Sequence, residues 1–177
     1  MPDVRLAHTS QLDAPMREAL RALLDAAFEG DFSDDDWLHC LGGMHALAYE
    51  GDDLVGHAAL VDRELMYQNH PLRTGYVEGV GVRADRRRHG HASALMAMVE
   101  RMLRAGYDVG ALSATDEAAR LYAARGWKQW KGPTAALTPE GPKLTPEDDG
   151  SVYVFPVKRS LDLTAQLTCD WRHGDLW

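Results

Sequence analysis

Between Met16 and Phe28 the apolar residues Met16, Ala19, Leu20, Leu23, Leu24, Ala27 and Phe28 recur at helical spacing, which predicts an amphipathic helix with one buried face. An extended start over Val4–His8 precedes it. Ser33, with Asp36 three residues on, reads as the cap of a short second helix carrying Trp37, Leu38 and Leu41. Strands follow at Met44–Tyr49, at Leu54–Leu65 beyond a Gly51-Asp52-Asp53 turn, and near Leu72–Val82. From His91 the period lengthens to 3.6, and Ala92, Leu95, Met96, Val99, Met102 and Leu103 form a helical stripe that stops before Gly106. A short strand over Asp108–Ser113 leads to a helix over Asp116–Arg125, ended by Gly126. Two last strands are expected near Trp127–Leu137 and Ser151–Val157. Between them Thr138–Gly150, rich in proline, glycine and acids, reads as an irregular loop. This order predicts an α/β (α+β) fold, a mixed sheet covered by helices.

Composition narrows the picture. A chain of 177 residues with 45% hydrophobic content suits a single domain, 1–177, around one core. The net charge of −8 argues against a general nucleic-acid binder and suits a cationic ligand. No run approaches the roughly 20 apolar residues of a membrane span. Met1-Pro2-Asp3-Val4-Arg5 lacks a signal-peptide pattern, and Cys40 and Cys169 are too few for a disulfide framework. The expected setting is the cytoplasm, and no metal is expected.

The chemistry concentrates between Glu78 and Ala92, where a strand passes through an arginine-rich loop and a glycine into a helix. A pyrophosphate needs backbone N–H donors, close approach without a Cβ and a favourable field, all offered by a helix N-terminus entered through Gly90. Arg87 and Arg88 add charge-assisted donors. Gly79 and Gly81 weaken the strand that carries them, which points to a bulge or a close approach to a ligand. Such a strand would leave the Val80 N–H to bind a thioester carbonyl and its edge to pair with pantetheine amides. A nicotinamide-dinucleotide reading fails, because Gly79-x-Gly81 lacks the third glycine and the immediate helix.

Arg87-x-x-Gly90-x-Ala92 resembles the acyl-CoA signature of the GNAT superfamily, and Ala118-x-x-Leu121-Tyr122-x-x-x-Gly126-Trp127 is similar to its second motif. The resemblance implies a sheet with splayed central strands and acetyl-CoA as co-substrate. It makes Val80, Val82, Arg87, Arg88, His89, Gly90, His91 and Ala92 the coenzyme cradle. Longer runs narrow it further. Gly30-Asp31-Phe32, Leu41-Gly42-Gly43-Met44-His45-Ala46-Leu47, Gly75-Tyr76-Val77-Glu78-Gly79-Val80 and Cys169-Asp170-Trp171-Arg172 resemble the aminoglycoside 2'-N-acetyltransferases. Arg86–His91 departs from that family while fitting the wider GNAT pattern.

Three residues are the expected catalytic groups: Glu78, Tyr122 and Val80. Glu78 lies two residues before Val80 and so shares its face. An ammonium cannot attack a thioester, and Glu78, directly or through one water, is placed to take the proton. The resemblance makes Tyr122 the donor to the departing thiolate, although a lone tyrosine on an apolar face also reads as core. It also implies acceptor contacts from Asp31, Asp36, Glu78, Gly79, Ser113, Asp148, Asp175 and the carboxylate of Trp177, and a homodimer. Asp34-Asp35-Asp36 has a second reading as acids at a helix start, and Asp148-Asp149 as solvated loop. Trp177, bulky and apolar, reads as part of a docked tail. Transfer to a cell-wall amino sugar or a polyamine remains open, as does a non-catalytic acyl-CoA sensor, against which Glu78 and Tyr122 speak.

Overall fold

The computed structural model describes residues 2–177. It contains ten strands and four helices of more than one turn among the described residues, with three short 3₁₀ turns between them. The chain forms two compact units, each built from two segments. One comprises residues up to Val61 together with Val77–Met102, the other Asp62–Tyr76 with Leu103–Trp177. The two long strands β3 (Asp53–Tyr67) and β4 (His70–Val82) each give one half to either unit.

In the first unit β1 (Asp3–His8), β2 (Met44–Glu50) and the first half of β3 form an antiparallel ladder, β1 on β2 and β2 on β3. Helix α1 (Ala14–Ala27) starts where Asp13 accepts the Met16 N–H at 2.9 Å, satisfying one orphan donor of the first turn. Its stripe buries Leu20, Leu23 and Leu24, and the last two pack with Phe32, Cys40 and Ala59. Helix α2 (Asp34–His39) opens on the expected capping box: the Asp36 carboxylate accepts the Ser33 N–H at 2.7 Å, while Ser33 Oγ accepts the Asp36 N–H at 3.1 Å. Helix α3 (His91–Gly106) follows the arginine loop and buries Leu95, Met96 and Val99.

The second unit is a sheet ordered β6-β9-β5-β4-β3-β10-β7-β8. Here β5 (Val109–Ser113) runs parallel to β4 through Thr74–Tyr76 and antiparallel to β9 (Val152–Pro156). Helix α4 (Asp116–Ala124), capped by Thr115, ends at Gly126 with φ +88°. The strand expected over Trp127–Leu137 is two pieces, β6 (Lys128–Gln129) and β7 (Thr134–Thr138). They separate where the fully buried Trp130 turns inward to donate its indole N–H to the Ala165 carbonyl at 2.9 Å.

The loop expected over Thr138–Gly150 contains β8 (Gly141–Leu144), antiparallel to β7, and a 3₁₀ turn over Pro146–Asp148. Pro142 reads as a breaker in sequence, yet β8 ends the strand order, and an edge strand tolerates the missing N–H. A further strand, β10 (Leu167–Cys169), is buried parallel to β7 and antiparallel to β3. Three residues are too few to show a period.

Candidate active site

The first unit holds the glycine-rich part of β4 and the arginine loop. Gly79 has φ +53°, so the backbone of β4 turns left-handed at one of the glycines that forecast an irregularity. A Cβ on Gly79 would lie 2.6 Å from Cys40 Sγ, which adds a steric reason for glycine to the backbone one. The Gly79 carbonyl accepts a hydrogen bond from His57 Nδ1 at 2.7 Å. Glu78, Gly79 and Val80 are half-buried, between the buried Val77 and Gly81.

The loop from Arg83 to Gly90 is held by ion pairs. Arg83 grips Asp85 through two contacts at 2.8 and 2.9 Å. Arg86 and the buried His91 share the Glu50 carboxylate, at 2.9 and 2.7 Å. These contacts, led by the His91 hydrogen bond, hold the Glu50 carboxyl below the usual range. Glu50 ends β2, some forty positions away in sequence from the loop, and no periodicity or motif marked it. Arg87 donates to the Ala27 carbonyl at 2.9 Å, closing the C-terminal end of α1. It therefore braces the loop as well as carrying charge. Arg88 has φ +63° and is exposed, and His89 turns its Nδ1 onto the Arg87 carbonyl at 2.9 Å.

Gly90 has φ +85°, and a Cβ there would meet nothing within 4 Å of this chain, so backbone conformation selects the glycine. Helix α3 opens directly behind it, with the Ala94 N–H on the Gly90 carbonyl at 3.0 Å. The N–H groups of His91, Ala92 and Ser93 are thus first-turn donors at the positive end of a 16-residue helix. Exposed arginines, a left-handed turn and this helix end suit a diphosphate. Asp31 is exposed beside α2 and Asp36 is half-buried at its start, where the cap already occupies one carboxylate oxygen.

The second unit holds Tyr122, Ser113, Asp148, Asp175 and Trp177. Tyr122 is buried against Trp127 and Tyr153, and burial pushes its phenol up to about 12. Ser113 Oγ meets Ser151 Oγ at 3.3 Å, and Ser151 Oγ donates to the Asp148 carbonyl at 2.8 Å. Burial first, then Glu147 and Asp175 nearby, raise the Asp148 carboxyl above its ordinary value, while a Thr145 hydrogen bond opposes them. Asp149, the other acid of the pair, is structural: one oxygen accepts both the N–H and the hydroxyl of Thr134, each at 2.9 Å.

The tail is docked, as its aromatic end forecast. Trp177 is buried and its indole N–H donates to Thr145 Oγ1 at 3.0 Å. Arg63 anchors the same segment by an ion pair to Asp170 at 2.8 Å, its side chain only 3% exposed. The alternation Val61, Arg63, Leu65 along β3 placed Arg63 inward, a signal available from sequence. A cleft of about 550 Å³ is lined by Thr145, Glu147, Trp171, Gly174 and Leu176 among others, so it borders the residue before Asp148 and both chain neighbours of Asp175.

Comparison with known proteins decides the family. The acetyltransferase (GNAT) domain family matches residues 11–130. An aminoglycoside 2'-N-acetyltransferase from Mycolicibacterium fortuitum is 52% identical over 177 residues, 98% of this chain and 91% of that one. The chain belongs to the aminoglycoside 2'-N-acetyltransferase family of GNAT acetyltransferases. The fold agrees. A GNAT family N-acetyltransferase (YhbS) from Escherichia coli, solved in complex with CoA, superposes with a TM-score of 0.65 at 17% identity, over 95% of this chain and 89% of that one. A GNAT family acetyltransferase from Brucella melitensis, solved with acetyl-CoA, gives 0.61 at 14% identity, over 93% and 94%. No helix among the described residues is long and apolar enough to cross a membrane.

Proposed function

We propose that this chain, acting as one domain over 1–177, transfers the acetyl group of acetyl-CoA directly to the 2'-amine of aminoglycoside antibiotics and so gives resistance to them. The observation that carries this reading is the 52% identity along almost the whole chain to the M. fortuitum enzyme. The acids gathered around Asp148 support it, because a polyammonium sugar would relieve the repulsion among Asp148, Glu147 and Asp175. The first turn of α3 and the Arg87–Arg88 loop would hold the diphosphate, with Val80, Val82, His89, Gly90, His91 and Ala92 completing the cradle. When bound, acetyl-CoA supplies an acyl group activated as a thioester.

Glu78 takes the proton that the amine must lose, directly or across one water, as the new N–C bond forms and the C–S bond breaks. The Val80 N–H donates to the acetyl carbonyl oxygen as charge develops there. Tyr122 donates a hydrogen bond to the departing sulfur. Its phenol near 12 lies some 3.5 units above an ordinary thiol, a gap of roughly 5 kcal/mol that favours hydrogen bonding over full proton transfer. Asp31, Asp36, Gly79, Ser113, Asp148, Asp175 and Trp177 are the proposed acceptor contacts. The proposed setting is the cytoplasm, as a homodimer, and the two buried free thiols suit a reducing compartment.

The test is thiol release from acetyl-CoA with paired aminoglycosides bearing an amine or a hydroxyl at the 2' position. Turnover is expected only with the amines. Equal rates on both series would remove the 2' assignment.

A further inference from the structure

Two histidines that neither motif includes, His45 and His57, lie fully buried in the first unit, with His57 hydrogen-bonded to Gly79 of β4. Their protons can be assigned from chemistry. A carbonyl oxygen only accepts, so the 2.7 Å contact to Gly79 requires the hydrogen on His57 Nδ1. Burial pushes His57 down to about 4, so the ring is neutral at physiological pH and its Nε2 is a bare acceptor. His45 Nδ1, 2.9 Å away, must then be the donor. Burial first, then the repulsion a proton on His45 would meet from a proton on His57 or His8 and from the Arg17 charge, holds His45 near 3, so its Nε2 is bare in turn. Thr9 Oγ1 lies 2.8 Å from that nitrogen. The hydroxyl proton is available for it, because the competing Gly43 carbonyl, 3.2 Å away, already receives the Thr9 backbone N–H at 3.0 Å. The Gly42 N–H closes the chain on Thr9 Oγ1 at 2.9 Å. Every hydrogen bond from Gly42 to Gly79 therefore runs in one direction.

The last acceptor is one half of the peptide unit between Gly79 and Val80. In a planar trans peptide the carbonyl and the N–H point in opposite directions. Fixing the Gly79 carbonyl onto His57 fixes the Val80 N–H away from it. Gly79, with no Cβ and φ +53°, is a residue at which this peptide plane could otherwise rotate with little steric resistance. Hydrogen-bond chains also polarise one another, so donation to the carbonyl strengthens the N–H of the same peptide.

We propose that Thr9, His45 and His57 are positioning residues that lock the orientation of the Gly79–Val80 peptide and thereby present the Val80 N–H to the acetyl carbonyl oxygen. The proposal rests on the donor role of Val80 given above. Histidine ¹⁵N spectra of the free protein test it without any acceptor. Both rings should show a protonated Nδ1 and a bare Nε2, unchanged from neutral pH down to about 5. His57→Leu, which removes the donor, should lower kcat about 10- to 100-fold with the KM for acetyl-CoA nearly unchanged, and should shift the Val80 amide resonance. His57→Asn, whose amide nitrogen can stand where Nδ1 stood, should restore most of kcat and the resonance. Should His57→Leu fail to fold, Thr9→Val, which leaves the Nε2 of His45 without its donor, should change the His45 ring signals in the same spectra. An Nε2-protonated tautomer, or titration of either ring near 6.5, overturns the proposal. So does equal loss of activity in the Leu and Asn variants with the Val80 resonance unmoved. A native protein with the expected ring spectra but no activity on aminoglycosides would refute the acceptor assignment and leave the lock standing.

Discussion

In the first unit the proposed ligand contacts are backbone: a strand with a left-handed glycine, a left-handed turn and a helix end, held in place by buried neutral histidines and paired charges. In the second the proposed contacts are side chains: carboxylates, hydroxyls and a docked aromatic tail from four separated segments. The two respond differently to protons. In the first unit burial keeps His45 and His57 neutral, while in the second burial and crowding keep the Asp148 carboxyl easier to protonate than usual. Backbone recognition tolerates no change in local conformation, whereas side-chain recognition can lose one contact at a time. A common coenzyme suits the first arrangement and a variable polycation the second.

The largest expected test of this contrast is acid stability. Unfolded histidine titrates near 6.5, whereas His57 and His45 are held to about 4 and about 3. As pH falls below 6.5 the unfolded chain takes up protons that the folded chain refuses, so the stability present at neutral pH is lost progressively toward about 4. The loss should reach about 2 kcal/mol per ring by pH ~5. Asp148 works in the opposite sense, its raised carboxyl favouring the folded state as pH falls. Urea unfolding of the native protein and of the His45→Asn, His57→Asn pair at pH ~7.5 and ~5 should show a shallower dependence in the variant. Identical slopes would mean that the histidines do not set the acid limit.

Next in size is the acceptor side. Asp175 is exposed, so Asp175→Asn should leave the melting temperature unchanged. It should raise the aminoglycoside KM roughly tenfold while the acetyl-CoA KM stays put, the cost of one charge-assisted contact. Trp177→Ala, which empties a buried site and orphans the Thr145 contact, should add a thermal defect to the same KM effect. A thermal defect with both KM values normal would reduce the tail to packing.

The smallest effect is expected from Tyr122→Phe. The ring packs on Trp127 and Tyr153, so the fold should persist, and only the proposed hydrogen bond to sulfur should be lost. A fall in kcat of about tenfold is expected, against complete loss if the phenol were an obligatory proton donor. Rates that follow the pH of an ordinary tyrosine, near 10, would contradict the burial that raises it.

The parts read correctly from sequence are those with local physical causes. The stripe from Met16 to Phe28 gave α1, the Ser33–Asp36 spacing gave the cap of α2, and the period change at His91 gave α3. Gly79 and Gly81 marked an irregular stretch of β4, where Gly79 takes φ +53°, because glycine in a strand has a stability cost that something must offset. Two elements escaped. The edge strand β8 was hidden by Pro142, whose breaker meaning depends on which neighbours a strand has, and β10 was too short to carry a pattern.

What the sequence determined by itself was the fold class, the coenzyme motif and, through resemblance, the family to which the chain belongs. What only the tertiary structure decided was who holds those residues. Glu50 reaches the arginine loop from the end of β2, Arg63 receives Asp170 across more than a hundred positions, and Thr9, His45 and His57 align behind Gly79 from three strands and turns. Helix and strand periods record which face of an element is buried. They carry no information about which buried polar group meets which, because that pairing is fixed only when separate elements pack and every desolvated donor must find an acceptor.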